Sequence, residues 1–293
     1  MIQKMNKKLA IRIGAGFLLV AMLGYAVRSD LLPEQTVVVF VQHVEPVGWV
    51  PAMRNPLFEG GRVEFAARDL VQLGGENLGE WDEVATVSFE DEASYQTFLT
   101  RMGAHQKLAQ YHVLSAEPMA PELHFLTNFR LRNFLDDETV DVGTRAPMES
   151  VVPDPRYVHR WTELFTGSYR DELVLLNFNT YNESPDVIDD MQGGDADSEE
   201  VFERYTDKAF RVLGKMGAQI DQVGNISSVV VGPSARNYDA YGFVLYPSVS
   251  AFEVVFTAEE RVDAKVHQQA ALSLERSAGY WAKPYDEFRL RPE

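Results

Sequence analysis

The sequence predicts an α+β protein in which one unit, strand-helix-strand-strand-helix-strand, is used twice in tandem. Three observations carry this. A nine-residue stretch recurs, apolar periodicity alternates between strand and helix spacing in the same order around both occurrences, and 293 residues at 45% apolar and 11% aromatic can fill two cores. The recurring stretch is Trp81-Asp82-Glu83-Val84-Ala85-Thr86-Val87-Ser88-Phe89, with Tyr95 beyond it. It matches Tyr238-Asp239-Ala240-Tyr241-Gly242-Phe243-Val244-Leu245-Tyr246, with Phe252 beyond, at a constant offset of 157. Farther on, His105-Gln106-Lys107-Leu108-Ala109 answers His267-Gln268-Gln269-Ala270-Ala271 at an offset of 162, so the second copy carries a lengthened helix or loop.

The first copy occupies residues 31–119. Thr36 to His43 is a β-branched apolar run and reads as a strand, Gly61 to Leu73 as a helix closed by Gly74-Gly75, and Val84 to Phe89 as a strand. Glu92 to Tyr111 reads as a long amphipathic helix and residues 112–118 as the closing strand. A connector, 120–170, holds Pro121, Pro147, Pro153 and Pro155 with the patches HFLTNF and RWTELF. It is too apolar for a plain linker, so it should lie across one copy, with a short helix at Tyr157 to Phe165. The second copy, 171–293, begins with the strand Glu172 to Tyr181. A helix follows from Ser198 to Met216, with Ser198 as N-cap, Glu199 and Glu200 in its first turn and Gly217 as its stop. Strands at Ile226 to Val231 and Tyr241 to Tyr246, a helical region at Ser250 to Ser277 and a strand at Tyr280 to Pro284 complete the split βαβ, or ferredoxin-like, order.

Composition removes several chemistries. With no cysteine there are no disulfides, thiolate nucleophiles, zinc-thiolate sites or iron-sulfur clusters. Lys plus Arg number 27 against 44 Asp plus Glu, a net charge of −17, so a nucleic-acid phosphate backbone would be repelled. The first 27 residues hold Lys4, Lys7, Lys8 and Arg12 with no acid, then an uncharged run from Ile13 to Val27. As a helix this run rises roughly 22 Å; Leu9 to Ile11 extend it toward the roughly 30 Å of a bilayer core if Arg12 snorkels. Residues 9–27 therefore read as an inner-membrane anchor with a periplasmic or extracellular body. Gly24-Tyr25-Ala26 equally fits a signal cleaved after Ala26, which would release a secreted body. Without residues 1–27 the exported body carries about −21.

In copy two, LLNFNTY, a helix ending near GKMGAQI, then YDAYGFVLYPS and a helix carrying VHQQAAL resemble the dimeric alpha-beta barrel superfamily, and most of all a bacterial domain-of-unknown-function branch. The resemblance implies that the two copies pair their sheets into one intramolecular α+β barrel. The function expected of a membrane-tethered, acidic pair of such units is binding of a small molecule or a membrane-associated protein partner through that barrel. A cofactor-free oxygenase or isomerase acting on a small aromatic or carbonyl substrate in the copy-two lumen is the enzymatic alternative, and an accessory subunit of a membrane complex is another.

Candidate site residues follow from strand alternation. Val174, Leu176, Phe178 and Thr180 share one face of the first copy-two strand and suit helix packing. Leu175, Asn177, Asn179 and Tyr181 share the other and are expected to line the lumen, with Tyr246. Copy one offers Phe40 and Gln42 at the equivalent places. His267, and His105 at the repeated position, are candidates for a general base or ligand contact beside the lumen. Asp82 and Asp239 precede their strands identically, as turn-forming Asx residues do. Metal binding lacks support: no HxH, HxxxH or HExxH pair occurs, and the acidic stretch from Asp186 to Asp197 lacks the calcium-loop spacing. No GxSxG, GxxxxGK[ST] or GxGxxG pattern is present, and no cofactor is called for.

Overall fold

Eight runs of mainly β-branched and aromatic residues form strands, and each pairs antiparallel with two neighbours, so the sheet closes on itself. The computed structural model describes residues 33, 35–44, 58–75, 79–104, 108–152, 154–186, 197–232 and 238–290. In the first half lie β1 (Gln35–His43), β2 (Arg62–Gly75), β3 (Glu83–Phe89), helix α1 (Glu92–Ala104) and β4 (Leu108–Pro118). The connector carries α2 (Pro121–Arg132), α3 (Met148–Val151), a 3-10 turn at Pro155–Tyr157 and α4 (Val158–Thr166). The second half holds β5 (Leu173–Asn179), α5 (Ser198–Lys215), β6 (Gln219–Val231), β7 (Ala240–Tyr246), α6 (Val249–Thr257), α7 (Glu259–Ala271) and β8 (Ala278–Pro284).

Around the barrel the order is β1-β3-β2-β8-β5-β7-β6-β4. Each half contributes four consecutive places, and the fourth strand of each half pairs with the second strand of the other. At one seam Ala67 faces Pro284 and Gln72 faces Tyr280; at the other Leu114 faces Val229 and Ser115 faces Ser228. Closure leaves no unpaired edge for another chain to extend. The repeat is also exact in register: Val41 opposes Glu83 as Asn179 opposes Ala240, and Glu83 and Ala240 are related by the sequence offset of 157.

Several sequence expectations need correction. Residues 61–73 are not a helix; they fall within β2. Its register slips against β3 between Val63 and Phe65, and against β8 between Arg68 and Val71 and between Gln72 and Gly74; Asp69 takes a positive φ of 57°. Each bulge inserts a residue, and the shifts turn an alternating strand pattern into one that imitates helical spacing. Helix α1 stops at Ala104, and Leu108 to Tyr111 already belong to β4. The cap of α5 is Asp197, whose side chain accepts from the Glu200 N–H at 2.8 Å, one residue before the expected Ser198. The region from 250 to 277 is two helices, broken where Ala258 adopts a non-helical ψ of 127°. Residues 9–27, the expected membrane segment, lie outside the described residues. Among those described, no helix is long and apolar enough to cross a membrane.

All eight strands send side chains into the lumen. One buried cluster unites Val38, Phe40, Phe65, Val84, Leu114, Leu176, Phe178, Ile226, Phe243 and Tyr280. Phe40 meets Phe178 at 5.1 Å, and Phe65 meets Phe243 at 5.4 Å, between strands that are not neighbours. The expected ligand-admitting lumen is therefore a packed aromatic core, as an eight-stranded barrel permits. The connector closes the outside. Trp161 of α4 donates its indole N–H to Leu73 O at 2.8 Å and stacks on Phe256 at 4.0 Å, tying β2 of the first half to α6 of the second.

Candidate functional site

Alternation along β5 is as the sequence indicates, but the faces are exchanged. Val174, Leu176 and Phe178 point into the packed lumen, while Leu175, Asn177 and Asn179 point outward beneath the helices. Inward burial needs the large apolar face, because the opposing strands fill the axis with rings. The polar face is left for the outer side.

There it floors a cleft of about 860 Å³. Floor residues are Leu175, Asn177 and Asn179 of β5, Gly242 and Val244 of β7 and Gly279 of β8; α5 and α7 form the walls, through Phe202 and Tyr205 and through Arg261 and Lys265. Trp161 and Val151 of the connector close one side. The hollow has a local cause. By register, Asn177, Asn179, Gly242 and Gly279 stand where the first half has Val39, Val41, Ala85 and Val113. Those first-half residues are buried in one cluster with Phe89, Phe98 and Met102. A Cβ added at Gly242 or at Gly279 would meet nothing within 4 Å, so both glycines face open space.

Most of the copy-two candidates come together in this cleft. Asn177, Asn179, Tyr181 and Tyr246 all line it, on the outer face of the sheet instead of in the lumen. Asn177 Nδ2 donates to Gly242 O at 3.4 Å. The Tyr181 N–H donates to Asp239 Oδ2 at 2.7 Å, so this carboxylate ties two strands 58 residues apart instead of closing the local Asx turn expected from sequence, and the Tyr181 ring meets Phe202 edge-on at 5.9 Å. Burial, together with acids led by Glu199, pushes the Tyr181 phenol up to about 12. The Tyr246 phenol is raised by burial against the attraction of Arg261.

His267 is elsewhere. It is 3% exposed on α7 and takes no part in the cleft lining. It shares a helix strip with Ala264 and Ala271, which pack on α5 residues Tyr205, Ala209 and Val201. A base on α7 cannot reach the lumen, because the sheet lies between them. Gln42 follows Phe40 on β1, in register with Gln110, and is likewise outside the cleft. The first-half counterparts of Asn177 and Asn179 are Val39 and Val41, not Phe40 and Gln42. His105 and the middle of the acidic loop, 187–196, lie outside the described residues, among which no group of three acids or histidines could hold a metal ion.

Two cations were missed from sequence. Arg261, 7% exposed, donates from Nε to the Tyr205 hydroxyl at 3.1 Å and from Nη1 to Phe256 O at 3.1 Å, and its guanidinium lies over the Phe256 ring at 4.3 Å. Lys265 Nζ donates to Val151 O at 3.1 Å and Ser150 O at 3.4 Å. Burial, then the neighbouring Arg261, lowers the Lys265 ammonium from its ordinary value. One signal of the cleft was legible, a glycine inside an otherwise bulky strand at 242.

No protein-family model matches the chain, and no curated protein does. Among solved structures, it is similar to a protein of unknown function from Rhodopseudomonas palustris, at 21% identity over 46% of this chain and 94% of that one, with a TM-score of 0.39. It is also similar to a Lactobacillus acidophilus protein provisionally described as a monooxygenase, at 9% identity over 85% and 95% of the two chains, with a TM-score of 0.37. A dye-decolorizing protein from V. cholerae aligns at 10% identity over 86% and 95%, with a TM-score of 0.35.

Proposed function

We propose that the protein binds a small molecule in the cleft between the outer face of the second-half sheet and helices α5 and α7, and that residues 9–27 hold it at a membrane. The supporting observation is the bare floor at Gly242 and Gly279, where the first half of the same fold carries packed side chains. The cleft has the volume of small-molecule sites, an aromatic wall and a few convergent polar groups. Asn177, Asn179 and Tyr181 orient the ligand, while Phe202, Tyr205 and Trp161 cover it. The membrane segment is supported by the basic flank and the uncharged run from Ile13 to Val27. With the lumen filled and His267 outside the cleft, the reading is of binding and not of catalysis.

Native mass spectrometry of full-length protein extracted from its own host tests this. The expected result is one bound small molecule, lost in Gly242→Leu, whose side chain fills the floor, with residues 1–27 still attached. A spectrum without ligand, or ligand retained by Gly242→Leu, overturns the cleft reading. Cleavage after Ala26 overturns the anchor.

A further inference from the structure

We infer that the ligand of this cleft is an anion, a carboxylate on an aromatic or otherwise apolar body, and that Arg261 and Lys265 receive its charge. This rests on the cleft being a binding site and adds to it the class of ligand.

The argument starts from charge. In a chain of net −17, cations are outnumbered and have acids to pair with, and among the described residues seven ion pairs join an Arg or a Lys to a carboxylate at 3.1 Å or less. Arg261 and Lys265 are exceptions. Among the described residues no carboxylate lies in ion-pairing range of either, although Arg261 is buried and Lys265 half-buried. Both project from α7 into the cleft, one turn apart. Burying a charge without a counter-charge is costly, and two like charges side by side add to that cost. Their polar contacts are a hydroxyl and carbonyl oxygens, which orient the cations without neutralising them. Among the described residues Nη2 of Arg261 has no hydrogen-bond partner, so that edge faces the cleft free for a planar carboxylate, the group a guanidinium matches best.

The surroundings fit one end of an amphiphile. Arg261 lies over Phe256 and beside Tyr205, both cleft residues, so the charged head adjoins an aromatic wall. Among the described residues two acids also line the cleft. Asp154 is engaged by Arg156, whose Nε lies 2.9 Å and 3.0 Å from its two oxygens, and Glu275 is solvent-exposed. Neither reaches the two cations. A bound carboxylate supplies the missing counter-charge and raises the Lys265 ammonium back toward its ordinary value.

The test is calorimetric titration of the full-length protein in zwitterionic lipid nanodiscs, against empty discs, with three probes that share a body: 2-naphthoate, 2-naphthylmethanol and 2-naphthylmethylammonium. The expected order places naphthoate at least tenfold tighter than the alcohol and the ammonium weakest. Lys265→Gln and Arg261→Met each reduce the preference for naphthoate over the alcohol to threefold or less, and Gly242→Leu abolishes binding of all three. If Arg261→Met does not fold, Lys265→Gln, whose contacts are two carbonyls, decides together with the wild-type order. Equal binding of naphthoate and alcohol, still abolished by Gly242→Leu, overturns the anion assignment and leaves the cleft reading standing. No binding of any probe, or binding indifferent to Gly242→Leu, overturns both.

Discussion

Phe40 and Phe178, related by the internal repeat, touch at 5.1 Å across the barrel axis. Each also meets the ring that precedes the third strand of its own half, Trp81 at 5.6 Å and Tyr238 at 5.4 Å. The lumen is thus sealed by a cluster of tilted rings contributed symmetrically by both halves. Phe40→Ala and Phe178→Ala are each expected to cost about 3–5 kcal/mol, and a double-mutant cycle should return a coupling of about 0.5–1.5 kcal/mol. Denaturant unfolding of the four proteins measures it; additive losses would mean the two rings act separately.

Asp82 and Asp239 make the same bond. His43 N–H donates to Asp82 Oδ2 and Tyr181 N–H to Asp239 Oδ2, both at 2.7 Å. Asp82→Ala and Asp239→Ala are expected to lose similar stability, about 0.5–1.5 kcal/mol. Only Asp239→Ala should also weaken ligand binding, because only Tyr181 stands at the cleft. Parallel stability and binding assays separate the two effects.

Glu83 is buried at the start of β3, and burial first, then Asp82, raises its carboxyl to about 9. With the proton held there, the 3.3 Å contact of its carboxyl with His43 Nε2 is not an ion pair. The unfolded chain releases that proton above about 4.5, so between these limits the folded state binds more protons. Stability contributed by Glu83 is present below that range and falls as pH rises toward 9, with a slope approaching about 1.4 kcal/mol per pH unit. Glu83→Gln should flatten this part of the profile in unfolding experiments at pH 6, 7, 8 and 9.

Two glycines should respond oppositely to the same change. Gly242→Ala adds a Cβ into open space and should stabilise by about 0.5–1 kcal/mol through the unfolded chain. At Gly75, φ is +83° and a Cβ would lie 1.8 Å from Ser277 O across the β2–β8 seam. Gly75→Ala should therefore destabilise by more than 1 kcal/mol. Thermal melts of the two variants suffice.

The repeat was legible in sequence because Trp81 to Phe89 and Tyr238 to Tyr246 occupy the same place in their halves and must pack the same surroundings. The closed barrel needed the structure, since sequence does not say which strands meet at a seam. Residues 61–73 misled because three bulges erase alternation. On β5 the two faces were separable, but which faced inward was decided elsewhere, by Phe40, Phe65, Phe243 and Tyr280. The cleft itself was half visible: Asn177, Asn179 and Tyr181 stood out as polar residues on an apolar strand. Arg261 and Lys265 did not, because what distinguishes them is the absence of an acid nearby in space, which no spacing records.

The union of both halves in one chain has a consequence for how such a cleft could arise. Two identical subunits related by a two-fold axis must carry every substitution twice, so hollowing one sheet face would hollow its mate and weaken both. Here the gene for one half could accept Asn, Gly and Gly while the other kept Val, Ala and Val. The solid half serves as a foundation that lets its twin tolerate an unfilled surface.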